Sequence, residues 1–415
     1  MKRVWILNHY AAEPKGVGGT RHFHIAQCLQ DLGWDATVIA SSVELNTDRQ
    51  RLPPGQRHRL DLIDGVRFLW IRVPKHTGNG VGRLLNMLTY SWRVLNRGAT
   101  NLLEKPHVVV GSSVHPFAAL SAALLARRFR VPFVFEVRDL WPQTLVELGR
   151  LKASSPIVAV MRSLENWLYR RADRIVTLLP KARDYMVPRG VEAAKIVWIP
   201  NGVDLKLFGK ILPKKAGESF TLMYFGAHGL ANSLDVLVDA MALVHEKHQK
   251  LRLRMIGNGL AKPALQDRAQ ALGLGPDVVS FESQVKKSQI PELAAGADAF
   301  VIHVPSRPDL YRYGISPNKL FDYLAAGRPL VMAADGDISM TDEAGCGVTV
   351  TPGDPSLLAD AIVAMADLTD EERARLGKRG RAHVESNYGF ESLAKTFKAV
   401  LEDSIEAYER RNGPH

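Results

Sequence analysis

Two α/β domains of similar size, each a mostly parallel sheet packed with helices, are predicted by three features of the sequence. Short apolar runs alternate with helical stretches along the chain, a turn-forming cluster near residue 200 interrupts them once, and each half opens on a strand that runs into a glycine-containing turn and a helix. Buried parallel strands read as continuous apolar runs, and strand–helix alternation marks βαβ units. At 415 residues the chain also exceeds one ordinary core.

In the first half, strands are expected at residues 4–8, 36–40, 66–73, 108–112, 132–137 and 175–178. A helix follows the loop Gly16-Val17-Gly18-Gly19-Thr20 and stops at Gly33, and another covers 155–171. The cluster Ile199-Pro200-Asn201-Gly202-Val203-Asp204 breaks the pattern, and residues 205–219, rich in Lys, Gly and Pro, read as a linker. Strands then recur at 222–225, 252–256, 278–281, 299–302 and 330–333. Helices fall at 233–247, from about 263, at 318–326 and at 355–368. The domains are therefore placed at 1–203 and 204–389.

Composition bounds the function. With 46% hydrophobic and 23% charged residues the chain is an ordinary globular one. Cys28 and Cys346 are its two cysteines, which gives neither a disulfide framework nor a zinc spacing, and a reducing cytoplasm is expected. The N-terminus lacks a signal-peptide pattern and reads as a strand. The longest apolar stretch, 108–126, contains Gly111, Ser112, Ser113, His115 and Pro116 and does not read as a membrane span. Charge is uneven. Residues 1–200 carry 29 Lys and Arg against 15 Asp and Glu, whereas 201–415 carry 25 against 28. A basic front half fits either a solvated surface or attraction to an anionic one, nucleic acid or the inner membrane leaflet. No nucleic-acid-binding motif accompanies it, so a nucleic-acid partner is not expected.

In the second half, Phe225-Gly226-Ala227-His228-Gly229 and Met255-Ile256-Gly257-Asn258-Gly259 are strand–glycine–helix junctions, where backbone N–H groups meet phosphate or a base edge. Lys262 stands where a dinucleotide fingerprint needs its third glycine, which disfavours a dehydrogenase. The richest motif runs from Tyr313-Gly314-Ile315-Ser316-Pro317-Asn318-Lys319 through Asp322 to Gly327-Arg328-Pro329. Ser316 is expected to cap a helix whose first position is Pro317. Lys319 in the first turn then suits a diphosphate, and Asp322 on the same face suits sugar hydroxyls.

These segments, with Gly18-Gly19-Thr20-Arg21-His22-Phe23, Gly111 to Pro116, Arg138-Asp139-Leu140-Trp141-Pro142 and Pro200 to Asp204, resemble the family-4 glycosyltransferases of GT-B fold over essentially the whole chain. The similarity is greatest to the O-antigen and capsule N-acetyl-fucosamine transferase branch. It implies two Rossmann-like domains facing a cleft, an N-terminal acceptor domain, a C-terminal donor domain, and a helix at 390–415 returning to the first. It implies transfer with retention and without a metal or cofactor, from a UDP-linked N-acetylated hexosamine or its 6-deoxy form to a saccharide on polyprenyl diphosphate. No residue decides between UDP and GDP. The leaving phosphate would itself take the acceptor's proton.

The resemblance also assigns roles. Asp322 matches the glutamate that holds the ribose, while its usual partner carboxylate falls on Gly314, so the N–H groups of Gly314 and Ile315 would meet the donor sugar. Ala227 and Asn232 stand near the places of the family's Arg and Lys. Diphosphate binding therefore passes to Lys319, the helix start at Ser316 and Asn318, and the Gly18-Gly19-Thr20 loop, with Gly226, Gly257, Asn258 and Gly259 as further donor contacts. Arg138 occupies the position of a family histidine and would hold phosphate, since it cannot act as a base. His115 and Asp139 would orient hydroxyls, and Arg21, His115 and Trp141 would meet the acceptor. Glu136 reads as structural.

Residues 81–97 are amphipathic: Val81, Leu84, Leu85, Leu88, Trp92 and Leu95 share one face, and Arg83, Tyr90, Arg93 and Arg97 another. Such a helix either packs on the first domain or lies in a membrane interface, which would make the protein peripheral on the inner face of the cytoplasmic membrane. A sugar-nucleotide epimerase of similar fold and a non-catalytic sugar-nucleotide-binding subunit are the competing functions.

Overall fold

The computed structural model describes residues 1–14, 16, 19–44, 49–76, 80–211, 219–229, 232–335 and 340–413. Gly18 and most of the expected linker, 212–218, lie outside the described residues. The chain forms two compact units, Met1–Pro200 with Phe390–His415, and Asn201–Gly389.

The first unit holds β1 (Lys2–Leu7), β2 (Trp34–Ser41), β3 (His58–Ile63), β4 (Val66–Ile71), β5 (Val108–Ser112), β6 (Phe133–Val137), β7 (Arg174–Thr177) and β8 (Ile196–Trp198). Their order is β3-β4-β2-β1-β5-β6-β7-β8, parallel throughout except for β3 against β4. Helices α1 (Arg21–Asp31), α2 (Val81–Val94), α3 (Pro116–Phe129) and α4 (Pro156–Arg171) accompany the sheet. Close layering of α3 on β5 depends on Gly111. A Cβ there would lie 2.7 Å from the Ala122 Cβ and 2.9 Å from the Ala119 Cα.

The second unit is a six-stranded parallel sheet in the order β11-β10-β9-β12-β13-β14. Its strands are β9 (Phe220–Phe225), β10 (Leu251–Ile256), β11 (Val279–Glu282), β12 (Ala299–His303), β13 (Leu330–Ala333) and β14 (Gly347–Val350). Its principal helices are α5 (Leu234–Lys247), α6 (Lys262–Ala271), α7 (Asn318–Ala325), α8 (Pro355–Asp367) and α9 (Asp370–Asn387). The closing helix α10 (Phe390–Asn412) belongs to the first unit. Its Phe390, Leu393, Phe397, Val400 and Leu401 share a core with Val4, Ile25, Trp34 and Val110. Arg411 on α10 pairs with Asp173 at 3.0 Å, just before β7.

In open sheets of this kind ligands sit beyond the carboxyl ends of the strands, where the strand order reverses direction. That point lies between β1 and β5 in the first unit and between β9 and β12 in the second.

Candidate active site

At the carboxyl end of β9 the chain turns through Gly226, at φ +153°. After β10 it turns through Gly257, at φ +156°. The two turns touch: a Cβ on Gly257 would lie 1.9 Å from the Gly226 carbonyl oxygen, and one on Gly259 would lie 2.3 Å from that of His228. Only glycines allow this approach. Their amides do not point outward as expected. Gly226 N–H donates to the Ile256 carbonyl (3.0 Å) and Gly257 N–H to that of Glu282 (3.2 Å), so both extend the sheet ladder. Lys262 explains the missing third glycine. Its ammonium donates to the carbonyls of Gly257 (3.0 Å) and Glu282 (2.7 Å) and reaches Asn258 Oδ1 at 3.3 Å, filling the turn from within.

Lys319 on α7 lies at the carboxyl end of β9. Its ammonium donates to Tyr224 Oη on β9 (2.7 Å) and to Asn232 Oδ1 (3.0 Å), and it lies against Gly226. Among the described residues no carboxylate pairs with it, and burial brings its pKa down to about 7. Beneath it, His228 is fully buried with neither ring nitrogen bonded. Burial, then Lys262 and Lys319, lower its pKa to about 4. The end of β9 therefore presents polar hydrogen and positive charge without a carboxylate, which is an anion's environment.

The start of α7 departs from expectation. Pro317, not Ser316, is the N-cap, and no side chain caps the helix. Ser316 Oγ instead accepts the Asn201 N–H (2.9 Å), and the Asn201 amide donates to the Ser316 carbonyl (2.6 Å), tying the loop to the start of the second unit. Asn318 is the first helical residue, and it is exposed. Gly314, at φ +92°, uses its N–H on the Tyr311 carbonyl (2.8 Å). The N–H of Ile315 has no partner among the described residues, so of the expected pair only Ile315 is left to donate. Asp322 lies 3.5 Å from the Lys287 ammonium, and burial raises its carboxyl although Lys287 opposes the shift.

At the carboxyl ends of β1, β5 and β6 the first unit carries a buried polar network. Glu136, on β6, accepts from Arg21 Nε (3.1 Å) and from His22 Nε2 (2.7 Å), while Asn8 donates to His22 Nδ1 (2.8 Å). This pattern requires a neutral His22 protonated on Nε2. Burial alone would raise the Glu136 carboxyl, but His22 and Arg21 hold it well below the usual range. Arg21 further donates to the carbonyls of Pro200 and Ile199. Arg138 follows β6, its N–H on Ser113 Oγ (3.2 Å) and its guanidinium toward Gly19. Thr20 is buried at the N-cap of α1, Asp139 is exposed, and Trp141 is half-buried.

Two family models match the chain, a glycosyl transferase 4-like domain over residues 18–202 and a glycosyl transferases group 1 domain over 219–367. The chain is a glycosyltransferase of the GT-B fold. It is similar to the probable glycosyltransferase WbjE of Pseudomonas aeruginosa, 23% identical across 78% of this chain and 81% of that one. It is also similar to the D-inositol 3-phosphate glycosyltransferase of Kineococcus radiotolerans, 26% identical across 90% and 88%. Among solved structures, sucrose-phosphate synthase of Thermosynechococcus elongatus superposes with a TM-score of 0.75 at 18% identity, covering 98% of this chain and 100% of that one. HepE of Anabaena, in complex with UDP and glucose, does so with 0.66 at 16%, covering 97% and 100%.

Two residues expected to meet the transferase's acceptor are internal. Arg21 is buried, and its guanidinium is spent on Glu136 and two carbonyls, so it supports the fold. His115 is buried as the N-cap of α3. Its Nδ1 accepts the Ala118 N–H (3.2 Å), and its Nε2–H donates to His9 Nδ1 (2.6 Å). Burial, with Arg83 nearby, lowers its pKa to about 3, and both of its ring nitrogens are engaged within the protein. His9 stacks between Tyr10 and Tyr90, at 4.3 and 4.5 Å. Neither His9 nor His228 stands out in the sequence, since a histidine one or two residues past a strand is common. The available signal was position after β1 and β9, the strands that flank the two switch points.

Among the described residues no three His, Cys, Asp or Glu side chains group as a metal site would require, and no helix is long and apolar enough to cross a membrane.

Proposed function

We propose that this glycosyltransferase moves an N-acetylated hexosamine-type sugar, in its 6-hydroxy or 6-deoxy form, from UDP to a saccharide on polyprenyl diphosphate. The reaction retains the anomeric configuration and needs no metal, and it serves surface-polysaccharide synthesis at the inner face of the cytoplasmic membrane. The observation that carries the donor half is Lys319: an ammonium held by two neutral oxygens, against Gly226, with a pKa near neutrality. Such a group gains most from an anion that restores its charge. Support for the donor's class comes from HepE, solved with UDP and glucose. Support for the pathway class comes from likeness to the putative colanic acid biosynthesis glycosyltransferase WcaL of Escherichia coli, 23% identical over 57% of this chain and 58% of that one.

In the reaction the bond from the anomeric carbon to the β-phosphate oxygen breaks, and the acceptor hydroxyl oxygen bonds to the same face of that carbon. The leaving phosphate takes the hydroxyl proton. Lys319, the Ile315 N–H and the start of α7 stabilise the leaving charge, and Asp322 holds the ribose. Removing one preorganised donor of this type costs on the order of 3 kcal/mol of barrier.

The test is nucleotide release from a panel of UDP- and GDP-sugars in EDTA, with and without a polyprenyl-diphosphate-linked N-acetylglucosamine acceptor. Acceptor-dependent UDP release from an N-acetylhexosamine donor is expected, with the α-linkage of the donor kept in the product. Saturable binding without release from any pair would refute the reading in favour of a non-catalytic subunit, the alternative that Gly314 motivates. Donor conversion without acceptor would make the protein an epimerase.

A further inference from the structure

Lys319 owes its place to two partners whose own protons are spent elsewhere. The Ala227 carbonyl accepts from Tyr224 Oη (3.0 Å) and from the Asn232 side-chain amide (2.9 Å). With those protons turned to one oxygen, the Tyr224 hydroxyl and Asn232 Oδ1 face Lys319 with lone pairs alone. The reverse amide orientation would set an NH2 against the ammonium and an oxygen against a carbonyl. The two bonds occupy two of the ammonium's three N–H groups, and among the described residues nothing accepts the third.

Asn232 is held in turn by a residue that the reaction scheme does not use. His303 ends β12 and is buried. A carbonyl can only accept, so the 3.0 Å contact with the Asn232 carbonyl requires the proton on His303 Nδ1. His303 Nε2 then accepts the Gly353 N–H (3.3 Å), from the loop after β14. Only the neutral imidazole, in this one tautomer, meets both demands. Burial lowers its pKa, although Asn232 and Asp235 of α5 oppose the shift, so the neutral form is the resident one. A line of hydrogen bonds therefore runs Gly353, His303, Asn232, Lys319. It joins the ends of β12 and β9, the strands that flank the switch point, to α7.

We propose that Asn232 is a positioning residue that aims the third N–H of Lys319 at the donor diphosphate, and that His303 holds Asn232 in place. An asparagine does here what a carboxylate would not. It places the ammonium without neutralising it, so the positive charge stays available to the leaving phosphate. The inference rests on the donor role proposed for Lys319 and adds which residues set it.

The test reads the full chain in two ways. One is an NMR titration of the Lys319 side chain in ligand-free protein carrying isotope-labelled lysine, the resonance being assigned by its loss in Lys319→Met. The other is calorimetric titration with UDP at one fixed pH. Asn232→Ala should move the Lys319 titration about one pH unit lower and weaken UDP about tenfold, the worth of one hydrogen bond to a charged group. Asn232→Asp should move the titration the other way, because a carboxylate favours the ammonium, and should still weaken UDP about tenfold by repelling it. His303→Phe fills the space without either bond and should act as Asn232→Ala does. His303→Gln, whose amide offers one donor and one acceptor, should restore both readings. The neighbours of Lys319 leave its titration clear, since burial raises Tyr224 and lowers His228, and Asp322 on the same helix faces Lys287. A Lys319 titration unchanged in Asn232→Ala overturns the proposal, and so does a His303→Gln variant that matches His303→Phe. If His303→Phe does not fold, Asn232→Ala, at a half-buried side chain, decides alone. Wild-type UDP affinity in Lys319→Met refutes the donor role of Lys319 and leaves its placement by Asn232 standing. Affinity lost in Lys319→Met, with both readings unmoved in the Asn232 and His303 variants, refutes the positioning alone.

Discussion

The donor role proposed for Lys319 predicts a UDP-sugar affinity that depends steeply on pH. In the free protein its pKa is about 7, because burial removes water and only Tyr224 Oη and Asn232 Oδ1 replace it. A bound diphosphate restores a counter-charge and returns the ammonium toward the ordinary lysine value of about 10.4. Binding therefore takes up a proton wherever the free lysine is neutral. The dissociation constant of a UDP-sugar should be nearly flat below pH 7 and rise about tenfold per unit above it, so that pH 9 is roughly a hundredfold weaker than pH 6. The groups around Lys319 stay silent in this window. His228, at about 4, is already neutral, and burial pushes the Tyr224 hydroxyl above the range. Asp322, with its raised carboxyl, faces Lys287 instead. A UDP-sugar, unlike UDP, carries no phosphate proton that titrates here. Calorimetry in two buffers of different ionisation heat should show close to one proton taken up at pH 8 and almost none at pH 6. Lys319→Met should lose about 2 kcal/mol of binding at pH 6, the worth of a charged hydrogen bond, together with the pH dependence. A wild-type affinity constant from pH 6 to 9, or a methionine variant that keeps the slope, refutes the reasoning.

Gly257→Ala should abolish UDP-sugar binding and lower stability by about 3 kcal/mol, because its Cβ would meet the Gly226 carbonyl oxygen at 1.9 Å at a φ that favours glycine; binding titration and chemical denaturation read both effects. Arg21→Met should cost about 3–5 kcal/mol in denaturation by stranding the Glu136 carboxylate, whereas a hand on the acceptor would have changed the acceptor KM at unchanged stability. Glu165 accepts from the hydroxyls of Tyr169 (2.9 Å) and Tyr185 (3.1 Å), and burial brings its carboxyl up to about 7. The folded chain then holds a proton that the unfolded chain loses near pH 4.5, so stability falls as pH rises from 4.5 to 7 and the loss is complete above it. Glu165→Gln should leave stability at pH 4 unchanged and raise it at pH 8 by on the order of 2–3 kcal/mol, read by urea unfolding at both pH values.

The central strands were legible because burial on both faces writes them as unbroken apolar runs, as in Val108-Val109-Val110 and Phe133-Val134-Phe135. The three strands not anticipated, β3, β8 and β14, all lie at sheet edges. β3 alternates charged and apolar side chains, β8 spans only Ile196–Trp198, and no residue of β14 is fully buried. Edge strands need only half the burial, so the run that betrays a central strand is missing. At the candidate site, the sequence singled out Lys319 and Asp322 by type and helix position and the glycine turns by strand-end position, all of which are local facts. It could not show that Arg21 and His115 turn inward. Arg21 and its partner Glu136 are 115 residues apart, and only the folded sheet brings β6 beside the start of α1. His228 was hidden for a related reason, since it packs against Gly257 and Gly259 on the turn after a different strand.

Helix α10 completes a core that β1 begins. Its phenylalanines and leucines close the first unit around Val4 and Val110, although nearly two hundred residues of the second unit are made in between. During synthesis the first sheet, covered on that side by α1 alone among these core helices, therefore waits for its second helix while the second unit emerges. The order of maturation is the reverse of the order of translation. A stop codon or a protease cut shortly after residue 389 should leave a folded second unit and an N-terminal unit prone to aggregate, so loss of the closing helix would be felt at the opposite end of the chain.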